Sequence, residues 1–91
     1  MTKPTDEEIE INFLKAAEDI KKSNKKCEDN ILLELYGYYK QGTIGDCNTA
    51  CPSLWQIVEK AKWDSWNNHK GLKKKHAQKK YIKLVEKIMK E

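Results

Sequence analysis

The sequence predicts an all-α protein, a bundle of four helices forming one domain over residues 1–91. Three observations predict it. Apolar residues recur every three or four positions in four separate stretches, and no stretch alternates like a half-buried strand. The stretches are joined by polar connections, one of them long and dense in turn formers. Ninety-one residues also leave no room for a second core of useful size. At roughly 0.05–0.15 kcal/mol per residue, the total stability is about 5–14 kcal/mol, so each buried aromatic matters.

Thr5-Asp6-Glu7-Glu8 reads as a capping box. The Thr hydroxyl serves a free amide, the Glu reaches back, and acids sit at the positive helix end. Ile9, Phe13, Ala16/Ala17 and Ile20 then form an apolar stripe that ends near the polar run Lys21 to Lys26. A second helix opens near Glu28-Asp29, carries Leu32, Leu35, Tyr36 and Tyr39 on one side, and ends near Gln41-Gly42. From Thr43 to Ser53 the chain contains Gly45, Asp46, Asn48, Thr49 and Pro52, which predicts a long ordered loop of the kind that is often functional. The third helix is expected from about Leu54 to Lys70, with Trp55, Ile57, Val58, Ala61 and the pair Trp63/Trp66 as its apolar residues and Gly71 as its stop. The fourth fills roughly Lys73 to Lys90, with Ala77, Tyr81, Leu84/Val85 and Ile88 at helical spacing.

Composition narrows the function classes. No apolar run approaches the roughly 20 residues needed to span a bilayer. The start, Met1 to Glu8, lacks the basic and apolar signature of a secretory signal, so a cytoplasmic protein is expected. Cys27, Cys47 and Cys51 cannot all pair with one another and are expected as thiols, with neither a disulfide framework nor zinc spacing to suggest otherwise. The 18 basic residues are all lysine, and the formal net charge is +4. Residues 35–91 hold twelve of those lysines against five acids, so the second half suits an anionic partner. The absence of arginine argues against base reading in DNA, whereas phosphate binding by point charges stays open. No Ser/His/Asp or Cys/His arrangement and no carboxylate pair suggests catalysis.

Two ordered motifs resemble a known family, the acyl-CoA-binding proteins. Tyr36-Gly37-Tyr38-Tyr39-Lys40-Gln41-Gly42-Thr43-Ile44-Gly45-Asp46-Cys47-Asn48 is similar to the family signature Tyr-x-x-Tyr-Lys-Gln-(Ala/Ser)-Thr-(Val/Ile)-Gly-Asp-x-Asn. Lys60-Ala61-Lys62-Trp63-Asp64-Ser65-Trp66 is similar to its Lys-Ala-Lys-Trp-Asp-Ala-Trp. Phe13 to Lys21 and Ala77 to Val85 resemble parts of its first and last helices, so the likeness covers about Phe13 to Ile88.

The resemblance implies an up-down-down-up four-helix bundle and a non-catalytic carrier of medium- to long-chain acyl-CoA. It also implies a monomer that serves acyl-CoA-using enzymes and touches membranes transiently. Neither cofactor nor metal is implied, and nucleic acid is not an expected partner. Carried over by position, the binding residues are Lys21, Tyr36, Tyr39, Lys40, Lys62 and Tyr81. Lysines and a tyrosine hydroxyl would serve the phosphates, chiefly the ribose 3′-phosphate, and an aromatic ring would stack on adenine. The chain departs from the family at Cys27, Cys51 and Val58, and at His69 and Gln78, which stand where apolar residues are common.

Elementary chemistry is compatible with this assignment. Coenzyme A presents a flat adenine and several phosphate charges, which call for an aromatic face beside cations. Tyr36, Tyr39 and Lys40 lie at i, i+3 and i+4, so they are neighbours on one helix. By spacing alone these tyrosines are better read as core packing with the hydroxyl at the edge, and Lys40 and Lys62 as solvated surface charges; it is the resemblance that turns them toward a ligand. Trp63 and Trp66 are expected as packing residues, Tyr81 as packing and ligand-lining at once, and His69 and His76 at the surface. The competing function is a lysine-rich module binding nucleic acid or anionic membrane through Lys70 to Lys80.

Overall fold

The computed structural model describes residues 3–90. Met1 and Thr2, part of the stretch read for a secretory signal, and Glu91, the end of the predicted domain, lie outside the described residues. Four helices form: α1 (Asp6–Lys22), α2 (Asp29–Thr43), α3 (Ile57–Asn67) and α4 (Lys74–Lys90). The described residues contain no strand.

Their directions follow from the side chains that meet. Lys75 pairs with Asp6 at 2.6 Å, and the rings of Phe13 and Tyr81 lie 5.1 Å apart edge to face, so α1 and α4 run side by side in the same direction. Gln78 Nε2 donates to the Gly42 carbonyl at 2.9 Å while Tyr39 faces Tyr81, so α2 runs against α4. Ser65 Oγ donates to the Leu33 carbonyl and His69 stacks on Tyr38, so α3 runs with α2. The order is up-down-down-up. α4 packs on both α1 and α2, and α3 packs on α2. The α1 and α2 backbones stay apart and meet through side chains such as Phe13 and Tyr39, whose rings lie 5.6 Å apart.

The predicted start of α1 forms at Thr5, whose Oγ1 accepts from the Glu8 amide at 3.2 Å. The Glu8 carboxylate accepts a hydrogen bond from the Thr5 hydroxyl at 3.3 Å instead of reaching the Thr5 amide. The apolar stripes of α1, α2 and α4 converge on Phe13, Ala16, Leu35, Tyr81, Val85 and Ile88, all buried. A second, polar anchor ties the far end of α2 to the turn before α4. Fully buried Gln41 donates from Nε2 to Asp46 Oδ1 at 2.9 Å and to the Leu72 carbonyl at 2.7 Å. Asp46 Oδ1 also accepts from the Gly71 amide at 2.8 Å. That amide, followed by the Gln41 side chain, holds the Asp46 carboxyl below the usual carboxylate range.

The third helix is shorter than its apolar pattern predicts. Leu54, Trp55 and Gln56 lie outside it, in a turn closed by the Gln56 amide donating to the Ser53 carbonyl at 3.0 Å. Beyond Asn67 the chain makes single turns, with His69 and Lys70 amides bonded three residues back, and Gly71 takes the left-handed conformation at φ 90°. The loop accordingly runs to Gln56, past the expected end at Ser53. α2 extends one turn position further, to Thr43, whose hydroxyl donates to the Tyr39 carbonyl at 2.8 Å.

Gly37 lets α2 and α3 approach. A Cβ on it would stand 2.6 Å from Ser65 Oγ and 2.7 Å from the Ser65 carbonyl oxygen. In an open helix, alanine at such a position would stabilise by about 1 kcal/mol over glycine. Here Gly37→Ala is expected to destabilise by about 1–3 kcal/mol, because backbone must move to admit the methyl. A urea midpoint at or above that of the parent would show that the helices separate freely.

Candidate ligand-binding site

The gap between α1 and α2 is a hollow of about 210 Å³. α1 contributes Ala17, Ile20 and Lys21, α2 contributes Leu32, Leu35, Tyr36 and Tyr39, and Tyr81 of α4 closes the floor. Four of the six residues expected at the site therefore share one apolar-floored space. A wider opening of about 480 Å³ continues from it over Leu14, Glu18 and Lys22, sharing Ala17, Lys21 and Tyr39. A third hollow, about 360 Å³, lies between α2 and α3 and contains Lys62 with Ile57, Val58 and Ala61. Leu32 and Tyr36 border both it and the first hollow. The Tyr36 ring is thus a shared wall, with the Lys62 ammonium 5.5 Å from its centroid on the α3 side.

Lys40 departs from the expected arrangement. Helical spacing makes it a neighbour of Tyr36 and Tyr39, but its ammonium lies 4.8 Å over the Trp66 ring and it lines none of these three hollows. The cause is the crossing of α3, which presents a buried indole face to the flexible lysine stem. Among the described residues no salt bridge engages Lys21, Lys40 or Lys62, so their charges remain open to an anion.

Tyr81 is 5 % exposed. Burial, with a smaller contribution from Tyr39, pushes its hydroxyl up to about 12, so it keeps its proton and can donate at neutral pH. Tyr39 is partly exposed at the mouth, its ring tilted against both Phe13 and Tyr81. His69 is half-buried, in contrast to the surface position expected of it. Its ring stacks on Tyr38 at 4.3 Å, and burial pushes its pKa down, which favours the neutral ring that stacks.

Of the two packing tryptophans, Trp66 is buried and donates to the Gly45 carbonyl at 2.8 Å. Half-buried Trp63 donates to the Thr49 carbonyl at 2.9 Å. Together they pin the long loop. Cys27, Cys47 and Cys51 are all free thiols. Lys70 to Lys80 is exposed at each lysine, with Lys75 engaged by Asp6. A separate groove of about 480 Å³ on the other flank of α1 and α4, beside Ile9 and Ile82, contains none of the expected residues. Sequence reasoning missed the Gln41–Asp46 anchor, although both residues lie within the motif, and read Ala17, Ile20 and Leu32 as stripe positions without foreseeing the space between them.

Comparison with known proteins agrees with the motifs. The family model described as acyl CoA binding protein matches residues 10–85. A Hypsibius protein named as a candidate acyl-CoA-binding protein is 48% identical over 81 residues, spanning 89% of this chain and 91% of that protein. The crystal structure of acyl-CoA-binding protein 2 of Oryza sativa superposes with a TM-score of 0.85 at 30% identity, over 90% of this chain and 91% of that one. The corresponding Moniliophthora perniciosa structure gives 0.83 at 34% identity, over 89% of this chain and 80% of that one. With the helix order, the tyrosine-lined gap and the match along most of its length in agreement, this chain belongs to the acyl-CoA-binding protein family.

Proposed function

We propose that this protein is a non-catalytic carrier of medium- to long-chain fatty acyl-CoA esters. The observation that supports the reading best is the gathering of Lys21, Tyr36, Tyr39 and Tyr81 around one apolar-floored hollow, with Lys62 across the Tyr36 ring. In this reading the Tyr36 ring stacks on adenine, and the lysine ammoniums, joined by the proton-bearing Tyr81 hydroxyl, meet the phosphates. Lys40 reaches the 3′-phosphate by leaving the Trp66 face. The acyl chain lies over Ala17, Ile20, Leu32 and Leu35.

No residue is assigned a bond-making role, and the ligand is carried unchanged. The protein acts as a cytoplasmic monomer that takes the ester up and gives it to acyl-CoA-using enzymes, with passing membrane contact. Among the described residues no helix is long and apolar enough to cross a membrane.

Calorimetric titration with palmitoyl-CoA tests the reading. The expected result is saturable one-to-one binding that Lys62→Ala weakens about tenfold or more while the helical circular dichroism is retained. Unchanged affinity in the variant would remove Lys62 from the site. No heat of binding to the parent would end the carrier reading.

A further inference from the structure

Leu54, Trp55, Ile57 and Val58 are 78, 92, 77 and 59 % exposed, four large apolar side chains within five positions. The chain's other two indoles are packed and hydrogen-bonded, so Trp55 is the exception among them. Its exposure is built into the backbone. The turn at Ser53–Gln56 is closed by a 3.0 Å bond, and the Lys60 amide donates back to the Gln56 carbonyl at 2.8 Å as α3 begins. Leu54 and Trp55 border none of the hollows described above, so they stand out as a tip. Ile57 and Val58, just behind them, form part of the wall of the hollow that holds Lys62.

We infer that this tip inserts into the surface of a lipid bilayer and docks the protein beside its ligand hollow. Three features favour a bilayer over a protein partner. Tryptophan partitions to the membrane–water boundary, where its apolar body and N–H are both satisfied. A narrow protrusion of adjacent side chains is covered on all sides by fluid lipid, whereas it offers a protein partner much less than the roughly 800 Å² per side of a stable interface. The chain carries net charge +4, so anionic headgroups draw it to the surface. The role given to docking rests on the carrier reading, since an acyl-CoA ester is amphiphilic and partitions into membranes. The hollow behind the tip shares Leu32 and Tyr36 with the one given to the acyl chain, so the two adjoin and the way from bilayer to site is short.

The test is flotation of the whole chain with vesicles of phosphatidylcholine and phosphatidylserine, alongside quenching of tryptophan fluorescence by lipids brominated on their acyl chains. Parent protein is expected to float and to be quenched. Trp55→Ala and Leu54→Ser should each lower the bound fraction about tenfold, Trp55→Phe should restore most of it, and the quenching should vanish in Trp55→Ala. Palmitoyl-CoA titration without vesicles should stay within about twofold of the parent in all three variants. Vesicle binding that survives Trp55→Ala would overturn the inference, as would a parent that ignores vesicles. A loss of ester affinity in vesicle-free buffer equal to the loss of flotation would overturn it too, by assigning the tip to the ligand site. Flotation through Trp55 by a protein that binds no ester would sustain the docking surface while the carrier reading fails.

Discussion

Phe13→Ala is expected to lose about 3–5 kcal/mol of stability, a large part of the total available to a domain of this size. Phe13 is 1 % exposed and, among the described residues, is the one large apolar side chain in full burial. Its ring meets Tyr81 edge to face at 5.1 Å and Tyr39 at 5.6 Å, and its Cζ would lie 3.2 Å from a Cβ placed on Gly42. Because α1 and α2 do not touch through their backbones, this ring joins α1 to α2 while α4 supports both. Its removal leaves a cavity directly beneath two tyrosines of the candidate site. The variant should therefore show a lower denaturation midpoint and, at a temperature where it is still folded, weaker ester binding as Tyr39 and Tyr81 settle into the space. Phe13→Leu fills most of the volume but loses the aromatic contacts, and should cost less. A Phe13→Ala loss below about 1 kcal/mol would mean that α4 alone holds the two helices.

The comparison of Phe13 with Trp55 shows which parts of this molecule periodicity reveals. Both are aromatic residues in stretches whose spacing predicts helix, and only one of them reaches the core. Phe13 is there because Ile9, Ala16 and Ile20 continue the stripe on either side and commit one face of α1 to burial. Trp55 is not, because a hydrogen bond between neighbours at Ser53 and Gln56 delays the helix, and no hydrophobic pattern reports such a turn. Amphipathic spacing also identifies an apolar face without saying whether its partner lies within the chain. Lys40 illustrates a second blind spot. Its position one turn from Tyr36 was legible, but the direction of a four-carbon stem depends on the indole brought alongside by α3, a contact separated by many residues in sequence. The Thr5 cap and the tyrosine spacing were readable because they are local. The hollow depends on the distance between two helices, which the sequence of either one does not specify.

A long-chain ester is expected to bind at least about a thousandfold more tightly than free coenzyme A. The difference comes from the tail. Each buried methylene contributes about 0.8 kcal/mol, so five of them supply about 4 kcal/mol, close to three powers of ten in affinity. In the proposed reading the floor of Ala17, Ile20, Leu32 and Leu35 accepts that much chain, while the nucleotide, common to both ligands, would meet the lysines and tyrosine rings equally. Affinity should consequently climb by roughly fourfold per methylene over the first part of a length series and then level off where the tail runs past the apolar floor. The heat-capacity change should grow more negative over the same range, since it tracks the apolar surface removed from water. Replacing Leu32, which is half exposed and borders both hollows at Tyr36, with serine should flatten the climb while leaving free coenzyme A unaffected. Equal affinity for free coenzyme A and palmitoyl-CoA would show that the tail remains in solvent, and the hollow between α1 and α2 would then need another occupant.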